Sequence, residues 1–369
     1  MFRELRCAFA LSAVFIGLSA AQESGAPAKP AVVVDDDGTV HVPAMTVPLS
    51  GFLSPEAKAY VTQHLKDMQN PSMLAQDNGV PRFMKPYLER QKILYPVDRE
   101  DRKIAGVHVY VYTPKAGVAN GNRDRVLIDL HGGGFSGCWP ACAELESMPI
   151  SALGRIRVIG VDYREGPGYK FPAASEDVAA VYKELLSAYP PQNIGIYGCS
   201  AGGMLTAMSV AWFQKQGLPQ PGAIGISCAG AGFGGDAAYT AAPLGEARMP
   251  PQRPPAAPRD ARPAGLGYLS GTDPSDPLVA PINSPAVLAK FPPTLIVTAT
   301  RGFDLSGALY THQQLVKMGV DAELYVWDGL FHGFFYNPDV PESKDAYNIM
   351  VRFFDRKLGR GRTGGPNGH

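Results

Sequence analysis

The chain lacks a charge excess of either sign: its 369 residues carry 34 lysines and arginines against 34 aspartates and glutamates. Proteins that bind nucleic acid usually carry a basic excess, so no nucleic-acid partner is expected. An acidic, aromatic-poor disordered chain is excluded as well, because 45% of the residues are hydrophobic. No internal repeat with the period of a solenoid or a propeller is visible. At this length the chain could hold two domains, or one large α/β domain with an insertion.

Common metal-binding patterns are missing too. The chain has five cysteines and seven histidines, but no Cys-x-x-Cys pair and no His-Glu-x-x-His motif. A zinc site of either type is therefore not expected, and no metal or cofactor is predicted. Cys138 and Cys142 lie close together in one loop and could pair in an oxidising compartment. Alternatively, they are buried thiols that act as small hydrophobic side chains, as are Cys199 and Cys228.

Long hydrophobic runs are absent except near the N-terminus. There, residues 7–20 are apolar, follow two arginines and end in small residues before Gln22. The run is shorter than the roughly 20 residues that a membrane-spanning helix needs. Residues 1–21 are therefore predicted to be a cleaved signal peptide, and the protein is predicted to be exported without stable membrane insertion. A single membrane anchor is the alternative.

The composition along the chain predicts its domain organisation. Residues 22–48 show no hydrophobic periodicity and are interpreted as a flexible leader. Residues 49–358 form the predicted domain, and the Gly- and Arg-rich residues 359–369 form a predicted disordered tail. Within the domain, residues 229–282 hold a glycine cluster and a proline-rich stretch. That segment is long for a plain connection and predicts an inserted cap.

Short strands alternate with helices through most of the domain. The first helical segment begins with Ser54 as N-cap and Pro55 at the first helical position. Early strand candidates, at 93–97 and 107–112, are rich in β-branched and aromatic residues. Continuous apolar runs follow at 126–130, 158–161, 194–197, 223–226, 294–297 and 323–326, with helix candidates at 175–187, 201–216, 306–318 and 342–358. Apolar strands that alternate with helices predict a mostly parallel sheet covered by helices.

The hexapeptide 198–203, Gly-Cys-Ser-Ala-Gly-Gly, follows one of these strands and precedes an apolar helix. A Gly-x-Ser-x-Gly turn reverses a strand sharply into a helix and leaves the serine exposed at its tip. The turn is strained, so its neighbours must be small. Ser200 is therefore the candidate nucleophile.

Residues 131–135, His-Gly-Gly-Gly-Phe, follow the strand at 126–130. Consecutive glycines allow backbone N–H groups to point at a developing oxyanion, and one such donor is worth roughly 3 kcal/mol in the transition state. The N–H groups of Gly133, Gly134 and Ala201 are the predicted oxyanion hole. An ordinary glycine-rich loop is the alternative.

Residues 328–334, Asp-Gly-Leu-Phe-His-Gly-Phe, follow the last predicted strand. His332 is the only histidine in a loop after a late strand. The others lie in the leader, a helix, the tail, an early strand or at the head of the glycine loop. His332 is therefore the candidate general base for Ser200.

These motifs, in this order, resemble the α/β-hydrolase fold and, within it, the hormone-sensitive-lipase-like esterases. The resemblance covers roughly residues 50–358 and includes Val-Asp-Tyr-Arg at 161–164 and Phe-Pro-Ala-Ala at 171–174. It implies an eight-stranded, mostly parallel sheet flanked by helices, with a cap built from residues 50–90 and 229–282. It also implies Ser200 as nucleophile, His332 as base, and an oxyanion hole from the glycine loop and Ala201.

The chain departs from the family at two positions. The family more often has an aspartate where this chain has Cys199, behind the nucleophile. More importantly, the family's catalytic aspartate, in the loop after the seventh strand, aligns with Gly302. Asp304 lies two residues further on, a distance of roughly 7 Å in extended chain, although a tight turn could shorten it. Asp328 and Asp236 are poorer substitutes.

Three hypotheses follow from the missing acid. Asp304 could be a relocated triad acid, or it could be only a favourable charge at a helix N-terminus. In the second case the protein is either an impaired esterase or a small-molecule-binding protein on a hydrolase scaffold. The esterase would be impaired because loss of the acid costs roughly 10⁴-fold in rate. We adopt the first: a serine carboxylesterase for small short-acyl esters, with the triad Ser200, His332 and Asp304. The sequence carries no indication of oligomeric state.

Overall fold

A computed structural model describes residues 32–77, 80–232, 234–245 and 267–359. The chain divides into two units, with the boundary between Pro48 and Leu49. In the first unit, Val33–Val34 pairs antiparallel with Val40–His41. The predicted signal peptide lies outside the described residues. So do residues 246–266 of the predicted insertion and residues 360–369 of the predicted tail.

The second unit contains an eight-stranded sheet. In chain order its strands are β1 (Val97–Ile104), β2 (Val107–Pro114), β3 (Val126–Leu130), β4 (Arg157–Val161), β5 (Ile194–Cys199), β6 (Ala223–Ser227), β7 (Thr294–Ala299) and β8 (Ala322–Trp327). Their spatial order is β8-β7-β6-β5-β3-β4-β2-β1. Strands β3 to β8 pair in parallel, whereas β2 is antiparallel to both β1 and β4. The predicted sheet is confirmed.

Helices cover the sheet on both sides. The longer ones are α1 (Pro55–Met68), α2 (Lys85–Leu94), α3 (Ala141–Gly154), α4 (Ala173–Leu185), α5 (Ala201–Gln216), α6 (Leu305–Lys317) and α7 (Pro341–Lys357). Short helices and 3₁₀ turns lie at Pro71–Leu74, Arg82–Met84, Asn120–Asn122, Pro191–Asn193, Ala237–Thr240, Ala242–Gly245, Gly267–Leu269, Pro281–Asn283, Pro285–Leu288 and Phe334–Tyr336. Gln76–Asp77 pairs with Val80–Pro81. Within the described ranges, no helix combines the length and the apolar character needed to cross a membrane.

The start of α1 follows its sequence signal. The Ser54 hydroxyl accepts a hydrogen bond from the Ala57 N–H at 3.0 Å, and Pro55 occupies the first helical position, where its missing N–H costs nothing. This confirms the predicted N-cap. Tyr60 and His64 lie on the buried face of α1.

The predicted strand at 93–97 is wrong. Residues up to Leu94 complete α2, and the strand begins at Val97. Every position between Val97 and Ile104 is charged and exposed, because β1 is an edge strand with a single neighbour. An exposed edge strand needs no apolar run, so hydrophobicity does not reveal it. The tight turn at Ala105 and Gly106, with φ of 49° and 85°, joins it to β2.

The hydrophobic core lies in two layers, one on each face of the sheet. Along β3, Ile128 packs into the layer with α4, α5 and α6, whereas Leu127 packs into the layer with α1, α3 and α7. Successive side chains of a strand point to opposite faces of the sheet. Strands that are buried on both faces therefore have continuous apolar sequences. Because β3 and β5 to β8 are parallel, the loops after them emerge at one edge of the sheet.

Candidate active site

Ser200 occupies the turn between β5 and α5. Its backbone has φ 58° and ψ −120°, a conformation that side-chain-bearing residues adopt only when the surroundings enforce it. A Cβ on Gly198 would lie 2.2 Å from the Leu130 carbonyl oxygen, and one on Gly202 would lie 1.6 Å from the same oxygen. The Ser200 N–H donates to the Ser227 carbonyl at 2.9 Å, which fixes the turn against the end of β6. The glycines of the predicted elbow are therefore sterically required.

The glycine loop follows β3 directly. Gly133 and Gly134 have φ of 124° and 66°, and a Cβ on Gly133 would lie 1.9 Å from the Gly137 carbonyl oxygen. Within the part of the chain that the structure describes, the N–H groups of Gly133, Gly134 and Ala201 have no acceptor. Three predicted donors are thus available to a bound molecule.

His332 lies in the loop after β8 and contacts a carboxylate. Its Nδ1 is 2.8 Å from Oδ1 of Asp304, and the Thr298 hydroxyl donates to Oδ2 of the same carboxylate at 2.6 Å. The side chains of Asp304 and His332 are only 4% and 15% exposed, so water screens the pair little. Asp304 immediately precedes α6, but its side chain makes no capping hydrogen bond there. The carboxylate faces the histidine ring instead.

A tight turn after β7 brings Asp304 to this place. The Gly302 N–H donates to the Ala299 carbonyl at 3.0 Å, and the Leu305 N–H donates to the Gly302 carbonyl at 3.2 Å. The chain is therefore not extended between residues 302 and 304. A Cβ on Gly302 would lie 2.6 Å from Oδ1 of Asp304. The Asp304 carboxylate thus takes up the space into which a side chain at position 302 would extend.

The two other candidate acids bind elsewhere. The Asp328 carboxylate accepts a hydrogen bond from the Ser50 hydroxyl. The Asp236 carboxylate accepts one from the Thr240 hydroxyl at 3.2 Å. Of the three carboxylates considered from sequence, Asp304 is the one bonded to the His332 ring.

Sequence reasoning missed two neighbours of the histidine. The Phe303 ring stacks on the His332 ring with centroids 4.3 Å apart. The Cys228 sulfur accepts a hydrogen bond from the Gly333 N–H at 3.2 Å. No motif marks either residue. Their contacts with the histidine loop depend on how the loops after β6, β7 and β8 pack together.

Of the described residues, one group could offer three ligands to a metal ion. Cys228, Asp304 and His332 place a sulfur, a carboxylate oxygen and an imidazole nitrogen within 4.8 Å of one another. The carboxylate and the imidazole are joined directly by a hydrogen bond, which is the relation of acid to base in a serine hydrolase.

The cysteine alternatives are resolved by the structure. Cys138 and Cys142 form a disulfide with Cα atoms 5.4 Å apart, at the junction between the glycine loop and α3. Cys199 and Cys228 are buried free thiols.

Glu146 on α3 is a buried carboxylate that sequence reasoning also missed. Its oxygens accept hydrogen bonds from the N–H groups of Gly132 and Cys199, at 2.9 and 3.1 Å, and from the Tyr336 hydroxyl at 2.7 Å. Burial raises the pKa of Glu146 to about 8, while the three donors and His332 act to lower it. No helix was predicted at 141–154, and no motif marks Glu146, so its position behind the motifs could not be predicted.

Comparison with known proteins agrees with this geometry. A family model described as alpha/beta hydrolase fold matches residues 127–336. An acetyl-hydrolase of Streptomyces hygroscopicus is 28% identical over 246 residues, which cover 64% of this chain and 77% of the relative. The crystal structure of an esterase E25 superposes with a TM-score of 0.71 at 26% identity, covering 86% of this chain and 98% of that one. The structure of an esterase from the bacterial hormone-sensitive lipase family gives a TM-score of 0.67 at 25% identity, covering 83% of this chain and 99% of that one. The chain therefore belongs to the alpha/beta hydrolases and, among them, to the hormone-sensitive-lipase-like esterases.

Proposed function

We propose that the protein is a serine carboxylesterase that hydrolyses small esters with short acyl chains through an acyl-enzyme intermediate. The observation that supports this most strongly is the 2.8 Å hydrogen bond between His332 Nδ1 and Asp304 Oδ1. It supports Asp304 as the acid of the triad, although position 302 is a glycine. The alternative of a binding protein with an incomplete triad rested on the absence of that acid.

The first half of the reaction forms the acyl-enzyme. The Ser200 hydroxyl oxygen attacks the ester carbonyl carbon while the unprotonated Nε2 of His332 takes the hydroxyl proton. Asp304 holds the ring in the tautomer that carries its proton on Nδ1 and stabilises the imidazolium. The N–H groups of Gly133, Gly134 and Ala201 stabilise the tetrahedral oxyanion. His332 then gives the proton to the leaving alkoxide, which departs as the alcohol.

The second half releases the acid. A water molecule attacks the acyl carbon on Ser200, and His332 takes one of its protons. The same N–H groups stabilise the second oxyanion. Collapse breaks the bond to Ser200, whose oxygen recovers the proton from His332. The step consumes one water and needs no redox partner.

Hydrolysis of p-nitrophenyl esters by the purified full chain tests the proposal. We expect turnover of the acetate and progressively slower turnover as the acyl chain lengthens. The short-acyl preference is supported by the acetyl-hydrolase relative. Absence of turnover with every ester would contradict the esterase proposal, and a preference for long acyl chains would contradict the proposed substrate class.

We propose further that the protein is exported and cleaved before Gln22. The support is the apolar run at residues 7–20 and the Cys138–Cys142 disulfide, because disulfides persist in oxidising compartments. We expect mass spectrometry of the protein from its native cells to find an N-terminus near Gln22. Material that retains residues 1–21 in a reducing compartment would contradict export.

A further inference from the structure

We propose that Glu146 is a positioning residue for ester hydrolysis: its carboxylate holds together the backbones that carry the oxyanion hole, the nucleophile and the general base. This inference rests on the proposed function, because it assigns a role within that reaction. Glu146 itself touches none of the predicted reacting atoms.

Two of its contacts reach the residues that precede the reacting groups. Oε1 accepts from the Gly132 N–H at 2.9 Å, and Gly132 directly precedes the oxyanion donor Gly133. Oε2 accepts from the Cys199 N–H at 3.1 Å, and Cys199 directly precedes Ser200. One carboxylate therefore fixes the spacing between the glycine loop and the nucleophile elbow.

The third contact reaches the turn that follows the general base. Oε1 also accepts from the Tyr336 hydroxyl at 2.7 Å. The Tyr336 N–H donates to the Gly333 carbonyl at 3.0 Å, and a Cβ on Gly333 would lie 3.3 Å from the Tyr336 ring. The tyrosine ring is thus packed against the residue next to His332. Glu146 links this turn to the other two loops.

The arrangement requires a carboxylate rather than another polar group. Two oxygens accept from three donors, and a side-chain amide offers only one acceptor oxygen. The residue behind the nucleophile, Cys199, cannot accept these hydrogen bonds, because it is a buried cysteine whose thiol is a weak acceptor. In this chain the carboxylate comes instead from the neighbouring helix α3.

Protonation of Glu146 weakens the arrangement, which gives a measurable signature. The ionised carboxylate accepts from all three donors, whereas the protonated group must itself donate one hydrogen bond. Burial raises the pKa of Glu146 to about 8, so the ionised fraction increases as the pH rises through that value. The titratable groups that face it are Asp129 on β3, Tyr163 after β4, Tyr197 and Cys199 on β5, and His332 and Tyr336 after β8. We expect kcat to rise as the pH increases through about 8, because Glu146 becomes ionised.

The test compares wild type, Glu146→Gln and Glu144→Gln with p-nitrophenyl acetate between about pH 6 and pH 10. Glu144 is a matched control because it is a second buried carboxylate on α3, but it pairs with Arg99 instead of the loops. We expect Glu146→Gln to lower kcat about 10- to 100-fold with little change in KM, because displaced reacting groups affect the transition state. The rise near pH 8 should vanish in this variant alone.

Tyr336→Phe provides a second variant in case Glu146→Gln fails to fold. It keeps the ring and removes one donor that lowers the pKa of Glu146. The rise near pH 8 should therefore move to higher pH, with a smaller loss of kcat.

Two outcomes would overturn the inference: a wild-type kcat and pH profile in Glu146→Gln, or an equal loss in Glu144→Gln. If Glu146→Gln does not fold, an unshifted profile in Tyr336→Phe would overturn it. Failure of the proposed function is recognised separately, because wild type itself would then not hydrolyse the ester.

Discussion

Ser200→Ala is expected to lower kcat for p-nitrophenyl acetate by about 10⁶-fold, because no other hydroxyl in the proposed mechanism can form the acyl-enzyme. The substitution removes only Oγ. Alanine keeps the Cβ that the backbone already accommodates at φ 58°, and the Ser200 N–H contact to Ser227 involves the main chain alone. The fold should therefore be retained.

A serine on the surface serves as the control. Ser187 is exposed, and its hydroxyl donates only to the Glu184 carbonyl at the end of α4. We expect Ser187→Ala to keep the wild-type rate. Circular dichroism should show the same fold in both variants. If Ser200→Ala retained a substantial part of the activity, Ser200 would not be the nucleophile.

Asp304→Asn is expected to lower kcat/KM by about 10⁴-fold, the cost of leaving His332, the proposed general base, in the wrong tautomer. The Asp304 carboxylate accepts from the Thr298 hydroxyl through one oxygen and contacts His332 Nδ1 through the other. An amide of the same shape has one oxygen and one NH₂ group. If the oxygen stays with Thr298, the NH₂ faces the ring and forces Nδ1 to become an acceptor, so that Nε2 carries the proton and cannot act as a base.

Gly302→Asp and Asp328→Asn complete this test. A Cβ at position 302 would lie 2.6 Å from Oδ1 of Asp304, so Gly302→Asp should displace the proposed triad acid and lower activity. Asp328 follows β8 but contacts Ser50 instead of the histidine, and Asp328→Asn should leave kcat/KM near the wild-type value. Unchanged activity in Asp304→Asn together with a gain in Gly302→Asp would show that the acid is missing from the native protein.

The parts of the site that depend on local geometry could be predicted from sequence. Gly198 and Gly202 are needed because the turn at Ser200 brings their Cα atoms against the Leu130 carbonyl. These steric requirements place glycines at fixed spacing around the serine. Parallel strands bring the loops that follow them to one edge of the sheet. The positions of Ser200, the glycine loop and His332 in the chain order therefore indicated a common site.

The parts that depend on the path of a loop could not be predicted. The hydrogen bonds of the turn at Gly302 bring Asp304 within 2.8 Å of His332 Nδ1. The extended-chain separation of positions 302 and 304 does not account for this turn. Glu146 is a carboxylate on a helix with no motif, and its role emerges only from the packing of α3 behind three loops. The edge strand β1 was misplaced for a related reason: the residues between its two ends are exposed and charged, so no apolar run marks the strand.

Covalent labelling with a fluorophosphonate probe tests the central claim most directly, because the probe traps an activated serine irrespective of how fast an acyl-enzyme is hydrolysed. The purified protein would be incubated with the probe, digested and mapped by mass spectrometry. We predict one phosphonyl group per chain on the peptide that contains Ser200, and markedly slower labelling in Asp304→Asn. Labelling of a different serine while Ser200 stays unmodified, or no labelling of a folded protein, would contradict the account.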